Sequence, residues 1–233
     1  MGDTTDKLPA AKEVLAVCAH PDDEAFGLGA VLRAFVEQGS RIRTLCFTHG
    51  EASTLGAAAA EDLLRPPLGE IRAKELSAAA KVLGVDHVEL LGYPDGQLDR
   101  VPLEVLARLV GQEAASAELL LVFDEGGITG HPDHRHATAA ALKAAQARGL
   151  SVLAWTLPEP VASELNAEYA TSFQGRPAQG VDIVIEVDRT RQLEAVACHA
   201  SQLGNNPVLW RRLELLGSHE HLHWLLRDQP HQR

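Results

Sequence analysis

Glu13-Val-Leu-Ala-Val-Cys-Ala19 runs straight into His20-Pro-Asp-Asp-Glu24, an apolar run ending in an imidazole, a proline and three carboxylates. An apolar run of that length, rich in branched side chains, reads as a buried strand. Beyond it, Leu28, Val31, Leu32, Phe35 and Val36 recur at helical spacing over Ala25 to Gln38, and Gly39 supplies the stop. Strand, polar turn and amphipathic helix make the first unit of an alternating α/β chain.

The alternation continues. Arg41 to Thr48 reads as a second strand. Glu70 to Leu83 carries Ala73, Leu76, Ala80 and Leu83 on one helical face and is closed by Gly84. A third strand, His87 to Leu91, leads to the turn Gly92-Tyr-Pro-Asp-Gly96. Pro102 opens the next helix, where its missing N–H costs nothing. Leu119 to Phe123 is a fourth strand; the loop Asp124 to Gly130 follows, then His131-Pro-Asp-His134 and an alanine-rich helix reaching Arg148.

Ser151 to Leu157 and Val181 to Val187 are further strands, and a helix from Arg189 turns Leu193, Val196, Ala197 and Ala200 inward. His219-Glu-His-Leu-His223 and Trp224-Leu-Leu226 read as a surface helix or tail docked through its leucines and tryptophan. The long segment His49 to Gly69 reads as a mobile active-site loop, and Pro158 to Gly180 as a second wall of the pocket. The expected fold is α/β and Rossmann-like: a doubly wound, mostly parallel sheet with helices on both faces. It forms a single domain over residues 1–233, with a core of about 12–204 and a C-terminal helical tail at 205–233.

At 233 residues the chain can bury a full core, and 45% apolar with 23% charged residues suits a soluble globular protein. A formal charge of -11 opposes binding to a nucleic-acid backbone. No apolar run approaches the roughly 20 residues that span a bilayer, so no membrane partner is expected. Met1 to Lys12 lacks the apolar core of a signal peptide. Cys18, Cys46 and Cys198 fall in no Cys-x-x-Cys pair; free thiols, and with them a cytoplasmic location, are expected.

Ligands of doubly wound sheets bind outside the carboxyl ends of the strands. One histidine motif follows the first strand and the other follows the fourth, so the topology brings them together. His20 and Asp23, three residues apart, can face one point, and His134 completes two imidazoles and one carboxylate. That set leaves a catalytic zinc an open position. Iron(II) is also chemically admissible, because these ligand types select zinc only weakly. Asp22, beside a ligand but aimed elsewhere, is free to take a proton from water, help typically worth ~10²–10⁴ in rate. His131 is cast as the group facing a developing oxyanion or protonating a leaving amine, with Asp133 orienting it by accepting its other N–H.

These two segments also carry a likeness. Ala19-His-Pro-Asp-Asp-Glu24 with His131-Pro-Asp-His134 resembles the PIG-L/LmbE-like family of zinc-dependent N-acetylglucosaminyl deacetylases, which includes deacetylases of mycothiol and bacillithiol biosynthesis. The likeness runs from the first strand to about Gly204. Thr48-His-Gly-Glu51 is similar to the family's Thr-x-Gly-Glu loop, and Arg72-Ala-Lys-Glu75 to its Arg-x-x-Glu helix. Leu91-Gly-Tyr-Pro-Asp-Gly96 is similar to its Leu-Gly-x-x-Asp turn, and His199-Ala-Ser-Gln202 to its late His-x-Ser-Gln.

The resemblance implies His20, Asp23 and His134 as metal ligands, Asp22 as base, and His131 paired with Asp133 as stabiliser of the tetrahedral intermediate. It implies substrate contacts by Glu51, Arg72, Asp95 and His199. One departure stands: a tyrosine that some members place two residues before the second motif is Thr129 here. A threonine hydroxyl is too short and too weakly acidic to replace it.

The expected activity is metal-dependent hydrolysis of an N-acyl group, by default N-acetyl, from an N-acetylglucosamine-type sugar conjugate. The partner is then a small molecule, an N-acetylated amino sugar conjugate, with homo-oligomerisation left open. Two rivals stand beside it: an amidase acting on a thiol conjugate or secondary metabolite, and a non-catalytic metal-dependent binding module. Asp22, which a binder does not need, favours the enzyme. A nucleotide-binding protein is disfavoured, since His-Pro-Asp-Asp stands where a glycine-rich loop would be.

Overall fold

In a computed structural model describing residues 4–55, 66–204 and 206–227, strands and helices alternate along the chain. β1 (Glu13–Cys18), α1 (Asp23–Phe26), α2 (Gly29–Glu37), β2 (Arg41–Thr48), α3 (Leu68–Leu83) and β3 (His87–Tyr93) form the first half. α4 (Leu103–Glu113), β4 (Leu119–Phe123), the one-turn α5 (Gly127–Gly130), α6 (Pro132–Arg148) and β5 (Ser151–Pro158) follow. α7 (Glu159–Tyr169), the two-residue β6 (Gly175–Arg176), β7 (Ile183–Glu186), α8 (Thr190–Cys198), α9 (Ala200–Leu203), α10 (Pro207–Leu216) and β8 (His219–Leu226) complete the order.

The strands lie in the order β3-β2-β1-β4-β5-β8-β7, with β6 paired to the end of β5. The first five are parallel, and β8 runs antiparallel to both its neighbours. All six residues of β1 are buried, as a strand covered on both faces requires. Val14, Ala16 and Cys18 pack on one side with Leu28, Leu32, Phe35 and Leu76. Leu15, Val17 and Ala19 pack on the other with Leu106, Val110 and the alanines of α6. Each fully buried Leu or Phe of this kind stabilises the fold by roughly 1.5–3 kcal/mol.

Winding goes from β1 outward to β2 and β3, then returns to β4 on the other side of β1. The reversal opens a crevice at the carboxyl ends of β1 and β4, where such folds hold their ligands. Among the described residues no helix is long and apolar enough to cross a membrane.

Three local expectations are corrected. The helix anticipated from Ala25 is two helices, broken at Gly27 and Leu28. Gly27 lies against the Phe123 ring with no room for a Cβ, and the Phe26 carbonyl accepts from Arg212 Nη2 (2.7 Å) instead of from the next turn. In α8 the inner face is Gln192, Ala195 and Val196, while Leu193 is 42% exposed. Gln192 turns inward because its amide reaches the Ala25 carbonyl (3.1 Å), which the break leaves open.

The helical tail is the third. Residues 207–216 are helical, but His219–Leu226 is a strand inside the sheet. Its alternation is masked because an inward position is Glu220, a residue type normally at the surface. Glu220 is fully buried with both oxygens bonded, to Trp155 Nε1 (2.6 Å) and Arg189 Nη1 (2.5 Å). Of the anticipated loop from His49 to Gly69, residues 56–65 lie outside the described residues.

Candidate metal centre

His20 leaves the end of β1, Asp23 opens α1, and His134 sits in the first turn of α6. His20 Nδ1 and His134 Nε2 are 3.1 Å apart. Asp23 Oδ1 is 3.0 Å from His134 Nε2, and its Oδ2 4.0 Å from His20 Nδ1. Ligand atoms around a tetrahedral ion with bonds of ~2.0–2.1 Å stand about 3.3 Å apart. The triangle is therefore close to the size a divalent cation needs.

The outer ring nitrogens are also held. His134 Nδ1 donates to the Gly127 carbonyl (3.1 Å), and His20 Nε2 donates to Asp95 Oδ1 (3.0 Å) and Asp133 Oδ2 (3.3 Å). Metal-ligating histidines need such partners to fix tautomer and ring orientation. The donor set fits a divalent ion.

Charge points the same way. Burial opposes a positive His20, but Asp133, Asp95, Asp23 and Asp22 outweigh it and raise the imidazole to about 10. His134 is raised too, Asp23 overcoming burial, and Asp23 is held well below the usual carboxylate range by both histidines despite its burial. A field that retains protons on two imidazoles attracts a cation, for which those protons compete. A second grouping, His20 with His131 and Asp133, brings its ligand atoms as near together. Asp133, however, is fully buried and already accepts from the Gly96 N–H (2.7 Å) and the Leu98 N–H (3.0 Å).

Asp22 is built differently from its neighbours. Its φ is 119°, in the left-handed region that costs a non-glycine residue on the order of 1–3 kcal/mol. Arg72 Nη2 grips its Oδ2 at 2.9 Å, and the same guanidinium donates to the Pro21 carbonyl and to the Gly50 carbonyl (2.5 Å). Gly50, at φ 63°, must be glycine because a Cβ there would strike that guanidinium. The Asp22 carboxylate thus rests on Arg72, outside the ligand triangle. Burial and the adjacent Asp23 push it up to about 6, against the pull of Arg72.

His131 caps α6: its Nδ1 accepts from the Asp133 N–H (3.2 Å), which leaves the ring proton on Nε2. Burial and the two neighbouring histidines lower its affinity for a second proton, which favours the neutral N–H donor over the imidazolium. The anticipated pairing of Asp133 with His131 is corrected here. The carboxylate serves His20, because burial beneath Gly96 and Leu98 aims it at that ring.

Substrate contacts anticipated at four positions resolve unequally. Asp95 is taken up by His20 and by the Ala52 N–H (2.9 Å). Glu51 is exposed and accepts from the Asp95 N–H (2.9 Å). Arg72 borders the cleft, yet is 3% exposed, with Nη1 and Nη2 committed to Gly50, Pro21 and Asp22 and only Nε without a partner among the described residues. His199 is wholly buried against Glu24 at 2.6 Å and reaches no cleft, which corrects its assignment as a substrate contact.

The cleft over the triangle has a volume of about 340 Å³, bordered by Ser53, Leu55, Arg72, Asp95, His131 and Gln202. Gln202, inside the His-x-Ser-Gln match, accepts from Ser53 Oγ (2.6 Å); Leu55, 45% exposed, stands at the rim. Residues 158–180 border it nowhere among the described residues; Gln174 to Pro177 line a separate cavity of about 440 Å³ with Asp124 and Arg135. Glu24, Gln202 and the Gly127 carbonyl were missed as site components. The first two carried a signal in their motifs, while a backbone carbonyl carries none.

Fold and centre together define an α/β protein in which His20, Asp23 and His134 could hold a divalent cation, with the Asp22 carboxylate turned to Arg72. Residues 15–145 match the family model PIG-L, described as GlcNAc-PI de-N-acetylase, and the chain belongs to that family. It is 29% identical over 226 residues to the "Probable N-acetyl-alpha-D-glucosaminyl L-malate deacetylase 2" of Bacillus anthracis, covering 93% of each chain. Its fold is similar to that of the A40926 pseudoaglycone deacetylase Dbv21, with a TM-score of 0.69 and 23% identity over 94% of this chain and 98% of that one. It is equally similar to GalB, the 4-carboxy-2-hydroxymuconate hydratase of Pseudomonas putida, with a TM-score of 0.71 and 19% identity over 95% and 99%. At such identities the likeness is one of fold. A deacetylase and a hydratase share it, so the reaction must be argued from the site.

Proposed function

We propose that the chain is a divalent-metal-dependent N-deacetylase that hydrolyses the acetamide of an N-acetylglucosamine conjugate, with zinc as its ion. The observation that carries this reading is the convergence of His20 Nδ1, His134 Nε2 and Asp23 Oδ1, with Asp22 held alongside on Arg72. Membership of the PIG-L family and the named activity of the Bacillus anthracis relative support the substrate class. Two imidazoles and one carboxylate suit zinc, though iron(II) competes for the same donors.

When bound, the ion supplies Lewis acidity, acidifying water and polarising the acyl oxygen. The chain's residues do the rest. Asp22, raised toward neutrality by burial, takes a proton from the attacking water as its oxygen bonds to the acetamide carbon. His131 Nε2–H donates to the oxygen on which negative charge develops. The carbon–nitrogen bond then breaks, and the proton taken by Asp22 is the one the departing amine requires. Acetate and a free amino sugar are the products.

The test uses protein stripped by chelator and reloaded with one equivalent of zinc(II) or iron(II). It is incubated with N-acetylglucosamine glycosides, an acylated thiol conjugate and an N-acylated glycopeptide, and free amine is measured. Metal-dependent amine release from the glycosides is expected. Stoichiometric metal uptake with no release from any glycoside would overturn the reading, and release from the other two alone would move it to the amidase alternative.

A further inference from the structure

Beneath Asp22 lies a buried pair that the reaction does not use. Glu24 and His199 are both fully buried, 175 residues apart in sequence and 2.6 Å apart from Oε1 to Nε2. Glu24 Oε2 accepts from the Asp22 N–H at 2.9 Å. His199 Nδ1 has no hydrogen-bonding partner among the described residues, so the ring's polar commitment runs through Nε2 to Glu24. His199 also stands edge-on to the Phe26 ring, 5.6 Å between centroids, at the junction of α8 and α9.

Two ionisable groups taken wholly out of water are a poor route to stability, and a purely apolar contact would pack as well. Asp22 gives the pair another purpose. A residue stays at positive φ only where its surroundings over-determine it. The Asp22 carbonyl accepts from the Ala25 and Phe26 N–H groups (3.0 and 2.7 Å), as the residue before any helix does. Its N–H is turned inward, and rotation about φ is what sets that direction. The acceptor waiting there is Glu24.

We propose that Glu24 and His199 are positioning residues for Asp22: His199 fixes Glu24, whose second oxygen holds the Asp22 N–H and so keeps the carboxylate on Arg72. The inference rests on reading Asp22 as the base, but its structural half does not. Glu24 touches no reacting atom and His199 reaches no cleft; both act through the backbone of one residue.

The test compares His199→Leu, which removes the donor to Glu24, with His199→Gln, whose amide N–H can occupy the place of Nε2–H. In a crystal structure of His199→Leu, Asp22 is expected to leave positive φ and its Arg72 contact. Its kcat falls about 10–100-fold, with KM and bound metal unchanged, the scale seen when an outer partner of a site is lost. His199→Gln recovers most of that rate. On an Asp22→Asn background His199→Leu has no further effect, whereas losses that multiply there would assign the pair to general stability. Retention of φ near 119° on Arg72 in the leucine variant would overturn the proposal.

If His199→Leu does not fold, His199→Asn, whose amide falls short of Glu24, takes its place with the same outcomes. Failure of both to fold would also overturn the proposal. If the wild-type protein releases amine from no conjugate, the functional reading fails, and the crystal structures still decide the positioning.

Discussion

At the end of β1, His20-Pro-Asp-Asp23 turns through a left-handed Asp22 into a helix of 4 residues. At the mouth of α6, His131-Pro-Asp-His134 enters a helix of 17 residues with Pro132 in its first turn and the His131 side chain as its cap. Four letters of near-identical pattern thus fold in two ways. In the second motif proline's fixed φ agrees with the helix, and the backbone through the motif is unstrained. In the first, the conformation is imposed from outside, by Arg72 on the side chain and Glu24 on the N–H. The strained copy carries the proposed base; the relaxed copy carries a proposed ligand and a proposed donor. Of the two four-residue motifs, only the first places a non-glycine residue, Asp22, at positive φ.

The comparison can be broken most directly at the ligands. Asp23→Ala and His134→Ala, one from each motif, are each expected to abolish stoichiometric metal binding, read by elemental analysis, along with turnover. Either variant retaining one equivalent would show that the motifs do not share an ion. Next in size is Asp22→Asn, for which kcat should drop ~10²–10⁴ with metal retained. Thermal stability should not fall, because asparagine tolerates the left-handed region and the charge beside Asp23 is gone. A lower melting temperature would mean that the pairing with Arg72 outweighs the burial of the Asp22 charge beside Asp23.

Asp133→Asn should cost about 10–100-fold in metal affinity or rate by loosening His20. Combined with His131→Ala, its effect should persist, since Asp133 serves the other motif; disappearance would restore the pairing with His131.

The smallest effect concerns the lead-in to the relaxed motif. Asp124 accepts from Thr156 Oγ1 (2.7 Å), from Arg176 Nε and Nη2 (3.0 and 2.9 Å), and lies 3.2 Å from His223 Nε2. Burial opposes its charge, yet these partners hold its carboxyl well below the usual carboxylate range. The folded state therefore binds this proton less readily than the unfolded chain. The stabilisation is in place above about pH 4 and drains as pH falls further. Denaturant melts of Asp124→Asn should show a loss of about 1–3 kcal/mol at pH 7 that narrows on acidification. A gap independent of pH would remove the role given to its charge.

Much of the fold was legible. The apolar runs at β1, β2 and β4 are continuous and bounded, and Gly39, Gly84 and Pro102 punctuate them. β8 was not, because the inward residue at its start is a glutamate whose partners, Trp155 and Arg189, lie 65 and 31 residues away. For the same reason the inner face of α8 was misread: Leu193 looks like core, but Gln192 has carbonyls to meet across 167 residues. At the centre, the meeting of His20, Asp23 and His134 could be anticipated from two motifs at one sheet edge. Which partner each polar atom takes could not.

Residue order alone settles where strands and helices alternate and which edge gathers the histidines, because burial periodicity and turn chemistry are local properties. Packing was needed to seat β8 inside the sheet, to hand Asp133 to His20, and to tie His199 to Glu24. A buried polar group is tolerated only when a particular distant atom satisfies it, and that atom is chosen by the folded chain as a whole.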